Sequence, residues 1–130
     1  MGTVDAAHVA VHRFAEALQE RTMRFATAIA GYRRTLPNTF DGRHVRDQLF
    51  RSGTSVAANY RSACCARSRR DFIAKLGIVV EESQETVFWL KFVDVAEISH
   101  SPAGRELLKE ARELLAIFTQ SAKTASSNYQ

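Results

Sequence analysis

An all-α fold, an antiparallel up-and-down four-helix bundle, is the architecture this 130-residue sequence predicts. Six Gly and two Pro are too few for a β-rich chain, which needs a turn roughly every 8 to 12 residues. Apolar residues recur at helical spacing over most of the length. Two helix-starting signatures, Ser68 followed by Asp71 and Ser101 followed by Pro102, divide the second half. The length suits a single domain (1-130), which removes roughly two-thirds of its unfolded surface from water without disulfides or metals. With 45% apolar and 25% charged residues, the composition is that of a globular chain rather than a disordered one.

The first helix is expected over about residues 8-34. Val11, Ala15, Leu18, Thr22, Phe25, Ile29 and Tyr32 step alternately by four and three, a seam of period 3.5 along one face. Gly31, Pro37 and Gly42 interrupt it, and Arg33 to Gly42 is expected to be the longest connection. A second helix, about 43-64, carries Val45, Leu49, Val56, Tyr60 and Ala63 on one side. Its middle is rich in small residues, which lets a neighbour approach closely. Gly53 there costs about 1 kcal/mol relative to Ala, which implies a packing reason. Gln48, Ser52, Ser55 and Asn59 form a polar stripe on the same helix, either solvated or a hydrogen-bonded seam.

A third helix, about 69-98, is placed by the Ser68 cap and continues through Phe72, Leu76, Val79 or Val80, Ser83, Val87 and Leu90. Neither Gly nor Pro occurs between Cys64 and Arg70, so one long kinked helix is the alternative to helices two and three. The fourth helix, about 102-121, has Leu107, Ala111, Leu114 and Phe118 on its apolar face, and the polar stretch from Ser121 to Gln130 is expected to fray.

The net charge of +4 is unevenly distributed. Residues 1-70 hold 12 basic and 5 acidic side chains, and residues 71-130 hold 6 and 9. All of the first 12 cations are Arg, whose planar fork binds phosphate or carboxylate at two points. Nucleic acid, an acidic partner surface, the protein's own second half, or a mere compositional bias toward Arg are all consistent with this pattern. The longest runs without Asp, Glu, Lys or Arg are nine residues, far below the ~20 of a membrane span. No basic residue precedes Arg13 and no apolar segment leads to a small-residue cleavage site, so a cytoplasmic location is expected.

Leu36-Pro37, the run from Gln48 to Arg61, the run from Ser68 to Leu76, and Glu82 to Thr86 together resemble a known family. It is the four-helix-bundle family named for proteins encoded in 23S ribosomal RNA intervening sequences, which includes the accessory variability determinant of diversity-generating retroelements. The resemblance covers roughly residues 10-120 and is densest from Gln48 to Leu90. It implies a bundle assembled into a ring of five subunits, nucleic-acid binding through basic surfaces in some members, and no catalysis. It also implies a reverse transcriptase or another protein as a partner, as for the accessory determinant. Asn59 and Glu85 match family positions, so the stripe Gln48, Ser52, Ser55, Asn59 is expected to bond to Glu85 across helices two and three. Two departures stand out. Tyr60 to Ala63 replaces a small acidic-glycine pair of many members, and Glu82 replaces a Ser.

Chemical sites are few. A disulfide between Cys64 and Cys65 would be strained, because adjacent Cα atoms lie only ~3.8 Å apart, so two reduced thiols are expected. His8 and His12 share a helix face but lack a third metal ligand. Glu81, Glu82 and Glu85 lack the His three residues on that a ferritin-type centre requires, and are expected to pair with Arg instead. No phosphate-binding Gly loop or Ser-His-Asp set is present, so no enzyme, metal or cofactor is expected. The surplus of large apolar groups, Phe50, Tyr60, Phe88, Trp89 and Phe92, suggests a second buried face and hence a homo-oligomer.

Seven arginines, Arg43, Arg46, Arg51, Arg61, Arg67, Arg69 and Arg70, face one acid, Asp47, between residues 43 and 70. As a phosphate-tracking patch they would bind RNA or DNA without sequence preference, with a ring adding avidity. As ion-pair partners within and between subunits they would serve a purely structural assembly. The expected function is the first, a non-catalytic oligomeric adaptor, with the scaffold as the alternative.

Overall fold

Each helix begins where a short polar side chain accepts a hydrogen bond from a backbone N–H that the first turn leaves free. In this computed structural model, which describes residues 5–129, Asp5 accepts from the N–H of Ala7 at 3.2 Å and Thr39 from that of Gly42 at 3.1 Å. Ser68 accepts from Asp71 at 3.0 Å and Ser101 from Gly104 at 3.2 Å. The helices that follow are α1 (Ala6–Arg33), α2 (Phe40–Cys64), α3 (Arg69–Val95) and α4 (Pro102–Tyr129). Connections of six, four and six residues, 34–39, 65–68 and 96–101, leave room only for antiparallel neighbours. Around the bundle α1 packs on α2, α2 on α3 and α3 on α4, while α4 closes only lightly on α1. The fold is the expected all-α four-helix bundle, and the break at 65–68 excludes a single kinked helix in place of α2 and α3.

Three boundaries differ from expectation by three residues or more, each for a local reason. Helix α2 starts at Phe40 rather than near residue 43, because Thr39 caps it and Gly42 fits inside its first turn. A Cβ at Gly42 would overlap the carbonyl oxygen of Pro37, so the glycine is what lets the loop fold back on the helix. The 34–39 connection is therefore short, and 96–101 equals it in length. Helix α3 ends at Val95, not near Ile98, because Glu97 takes a left-handed conformation (φ 57°). The N–H of Ile98 then bonds to the Val93 carbonyl at 2.9 Å and that of Glu97 to Asp94 at 3.1 Å, a Schellman closure with Ile98 tucked against the core. Helix α4 continues past Ser121, because Ala122 and Ala125 keep its apolar register and Ala125 is buried.

The core lies along the predicted seams. Ile29, Leu49, Leu76 and Phe118 are fully buried, and the rings of Tyr60 and Phe118 meet at 5.1 Å between centroids. Gly53 has its packing reason, since a Cβ there would come within 3.0 Å of the Ile29 side chain. The α1 seam is buried from Leu18 to Tyr32 but not at its start, where Val11 is 68% exposed. Helix α1 leans on α2 there and leaves a cleft toward α4. Among the described residues, no helix is long and apolar enough to cross a membrane.

Candidate functional site

The seven arginines that are neighbours in sequence are divided by the fold. Helix α2 rises about 27 Å between Arg43 and Arg61, so they stand toward opposite ends of the bundle. At the α1–α2 end, Arg43 donates to the backbone and side-chain oxygens of Asn38 at 3.3 and 3.2 Å. Arg46 donates to three carbonyls, those of Arg33 (3.2 Å), Arg34 (3.3 Å) and Leu36 (2.8 Å). The half-buried guanidinium thereby caps carbonyls at the α1 C-terminus and in the connection that follows it. Midway along α2, Arg51 pairs with Glu82 at 3.3 Å and with Glu85, and donates to Gln48 at 3.3 Å. The hydrogen bond to Glu85 is the main cause holding the Arg51 pKa above its ordinary value.

Arg61, Arg67, Arg69 and Arg70 gather at the other end, and all four are exposed. Arg61 lies in the last turn of α2, Arg67 in the 65–68 connection, and Arg69 and Arg70 are the first two residues of α3. None of the four has a hydrogen-bond or ion-pair partner among the described residues. Two cations at the start of a helix also stand at the positive end of its dipole, against the local preference, and Asp71 is the sole acid in that turn. A phosphate at this end would meet the guanidinium groups and a favourable dipole together.

The expected polar seam takes a different form. Asn59 donates back to the Ser55 carbonyl of its own helix at 2.9 Å, and Gln48 serves Arg51. The Glu85 carboxylate accepts from Arg51 and, at 3.4 Å, from the indole N–H of Trp89. The cross-link between α2 and α3 is therefore Arg51 with Glu82 and Glu85, not Asn59, whose side-chain amide is taken up by its own helix. Ser52 is fully buried, and its hydroxyl has no hydrogen-bond partner among the described residues. Ser52→Ala is accordingly expected to leave the unfolding free energy unchanged or raise it by up to about 1 kcal/mol, since it removes an unsatisfied polar group. A denaturant titration showing a loss larger than that would mean the hydroxyl is engaged.

The remaining candidates are placed as follows. Cys64 is half-buried with its thiol pKa raised by burial, Cys65 is exposed, and the two are not bonded. His12 faces Glu16 at 3.1 Å, and no group of three or more metal-ligating side chains occurs among the described residues. Of the three glutamates, Glu82 and Glu85 pair with arginine, while Glu81 is exposed. Of the surplus aromatics, Tyr60 belongs to the core and Phe50 lies under the Arg33 guanidinium at 4.6 Å. Phe88, Trp89 and Phe92 form one aromatic cluster with ring centroids 4.9 to 6.0 Å apart, and Phe88 is 55% exposed. His44 meets the Trp89 ring at 5.5 Å. A clamp that the sequence did not reveal joins α1 to α4. Arg21 binds Glu110 through two bonds of 2.8 and 2.6 Å and Glu113 at 2.9 Å. The hydrogen bond from Arg21 is the main cause holding the Glu110 carboxyl below the usual range.

Comparison with known proteins agrees with this fold. A family model described as 23S rRNA-intervening sequence protein matches residues 17–120. Among solved structures, a protein of unknown function from the S23 ribosomal protein family of Bacteroides thetaiotaomicron superposes with a TM-score of 0.74. It is 28% identical, over 84% of this chain and 97% of that one. No curated protein matches the chain.

Proposed function

Because the chain belongs to the 23S rRNA-intervening sequence protein family, we propose that it is a non-catalytic, homo-oligomeric adaptor that binds RNA or DNA through arginine–phosphate contacts. The observation that supports this most is the set Arg61, Arg67, Arg69 and Arg70, exposed together without ion-pair partners among the described residues. Two of them sit at a helix start where their charge is locally unfavourable. Side chains that break a local rule without an internal compensation are candidates for external partners. Arg43, Arg46 and Arg51 leave the proposed contact set, because their guanidinium groups are already engaged by oxygens of this chain. The exposed Phe88 and Phe92, with Phe40 and Val95, supply an apolar face for self-association.

The scaffold reading keeps a specific observation of its own: Arg46 and Arg51 do serve internal contacts. A salt titration of binding to mixed-sequence RNA and DNA separates the two. Log affinity is expected to fall linearly with log salt, by about 0.7 to 0.9 per phosphate neutralised. Replacing Arg67, Arg69 and Arg70 with Gln is expected to flatten the slope by about 2 to 3 per engaged subunit. Wild-type protein that binds neither nucleic acid at low salt would favour the scaffold. An unchanged slope in the triple variant would remove this site.

A further inference from the structure

Helices α1 and α4 are clamped midway by Arg21 with Glu110 and Glu113, and toward the start of α1 they part. The opening is a cleft of about 720 Å³, continuous with a second of about 460 Å³ through the shared Val11, Phe14, Arg69 and Phe72. Val11 and Phe14 are 68% and 55% exposed, and Val11 holds a position where a seam of period 3.5 would ordinarily be buried. Ile117 and Ala125 of α4 form the far wall. Along α1 the combined groove runs from His8 to Gln19, about 16 Å, which is the length of three helical turns.

We propose that this groove docks an acidic amphipathic helix of a protein partner. Two helical walls with an apolar floor between them accept a further helix whose anchors recur at i, i+4 and i+7. The charge at the groove selects its sign. Arg69 lines both parts of it and is exposed and unpaired among the described residues. Glu16 is the one acid among the lining residues, and it is already engaged by His12. Arg67 and Arg70, next to Arg69, extend the positive potential at the mouth. Carboxylates flanking the apolar stripe of the incoming helix therefore meet Arg69, and lysines in their place would be repelled. A nucleic acid gains little from Val11, Phe14 and Ile117, so the groove and the phosphate contacts are separate functions that share Arg69.

The test uses the full chain and a labelled, helix-forming peptide about three turns long, with Leu at i, i+4 and i+7 and Glu on the flanks. Fluorescence anisotropy is expected to show saturable binding, at least about tenfold tighter than for the same peptide with Lys flanks. Phe14→Ser combined with Val11→Ser should abolish peptide binding while leaving the salt slope for nucleic acid as in wild type. Both positions are exposed, so an unchanged circular dichroism spectrum would confirm that the variant folds. Arg69→Glu puts an acid at a helix start, where it is tolerated, and should reverse the preference toward the Lys-flanked peptide. Absence of binding, equal binding of both peptides, or loss of self-association in the Val11/Phe14 variant would overturn the proposal, the last by making a second copy the occupant. Failure of the nucleic-acid reading alone would appear as peptide binding with no salt-dependent binding of RNA or DNA.

Discussion

Phe118→Ala is expected to lower the free energy of unfolding by about 3–5 kcal/mol, read as a shift of the urea midpoint with an unchanged slope. Phe118 is wholly buried in α4 and meets the Tyr60 ring of α2 at 5.1 Å. Truncation loses the transfer free energy of the ring and leaves a hole. The helices around that hole are held by their own caps and ion pairs, so they collapse into it only in part. In a domain of ordinary stability, about 5–15 kcal/mol, this is a large fraction of the total and amounts to roughly 10 °C or more in Tm. A loss below about 1 kcal/mol would mean that α4 does not pack across the core as described.

Gly42→Ala should also destabilise, by about 3 kcal/mol, although alanine ordinarily strengthens a helix by about 1 kcal/mol over glycine. The added Cβ would collide with the Pro37 carbonyl oxygen, a backbone atom that cannot rotate aside. Relief requires opening the 34–39 connection, which Arg46 fastens through the carbonyls of Arg33, Arg34 and Leu36. Gly31→Ala is the internal control. Beyond its own turn of helix, no atom of the described residues lies within 4 Å of its added Cβ, so that substitution should stabilise by about 0.5–1 kcal/mol. The opposite signs are the diagnostic result. If both variants gained stability by thermal melting, the close approach of Pro37 to α2 would be wrong.

What separates the two functional readings is how many arginines the fold consumes. Arg46 and Arg51 make contacts whose removal would loosen the α1–α2 loop or the α2–α3 pair, so substituting them confounds folding with binding. Arg61, Arg67, Arg69 and Arg70 carry no such burden among the described residues. Binding studies are cleanest there, and each exposed guanidinium should change affinity without moving the unfolding midpoint by more than about 0.5 kcal/mol.

Four helices, their order and most of their core were legible in the sequence, because helix formation is written at short range. The seam from Leu18 to Tyr32, the Ser68 and Ser101 caps and the faces of α2 and α4 all depend on residues three or four apart. The misplaced ends depended on contacts just beyond that range: the Pro37 carbonyl over Gly42, and the left-handed Glu97 closing α3. The site was legible only as a composition. Whether an arginine is free is decided by carboxylates and carbonyls that the fold brings from elsewhere, such as Glu82, 31 residues from Arg51, or Glu110, 89 residues from Arg21. Seven arginines alike in sequence thus became three engaged by the protein's own oxygens and four left at the end of the bundle. Likewise Val11 continues the α1 period but meets no partner, because burial needs an opposing surface and α4 stands away from α1 there.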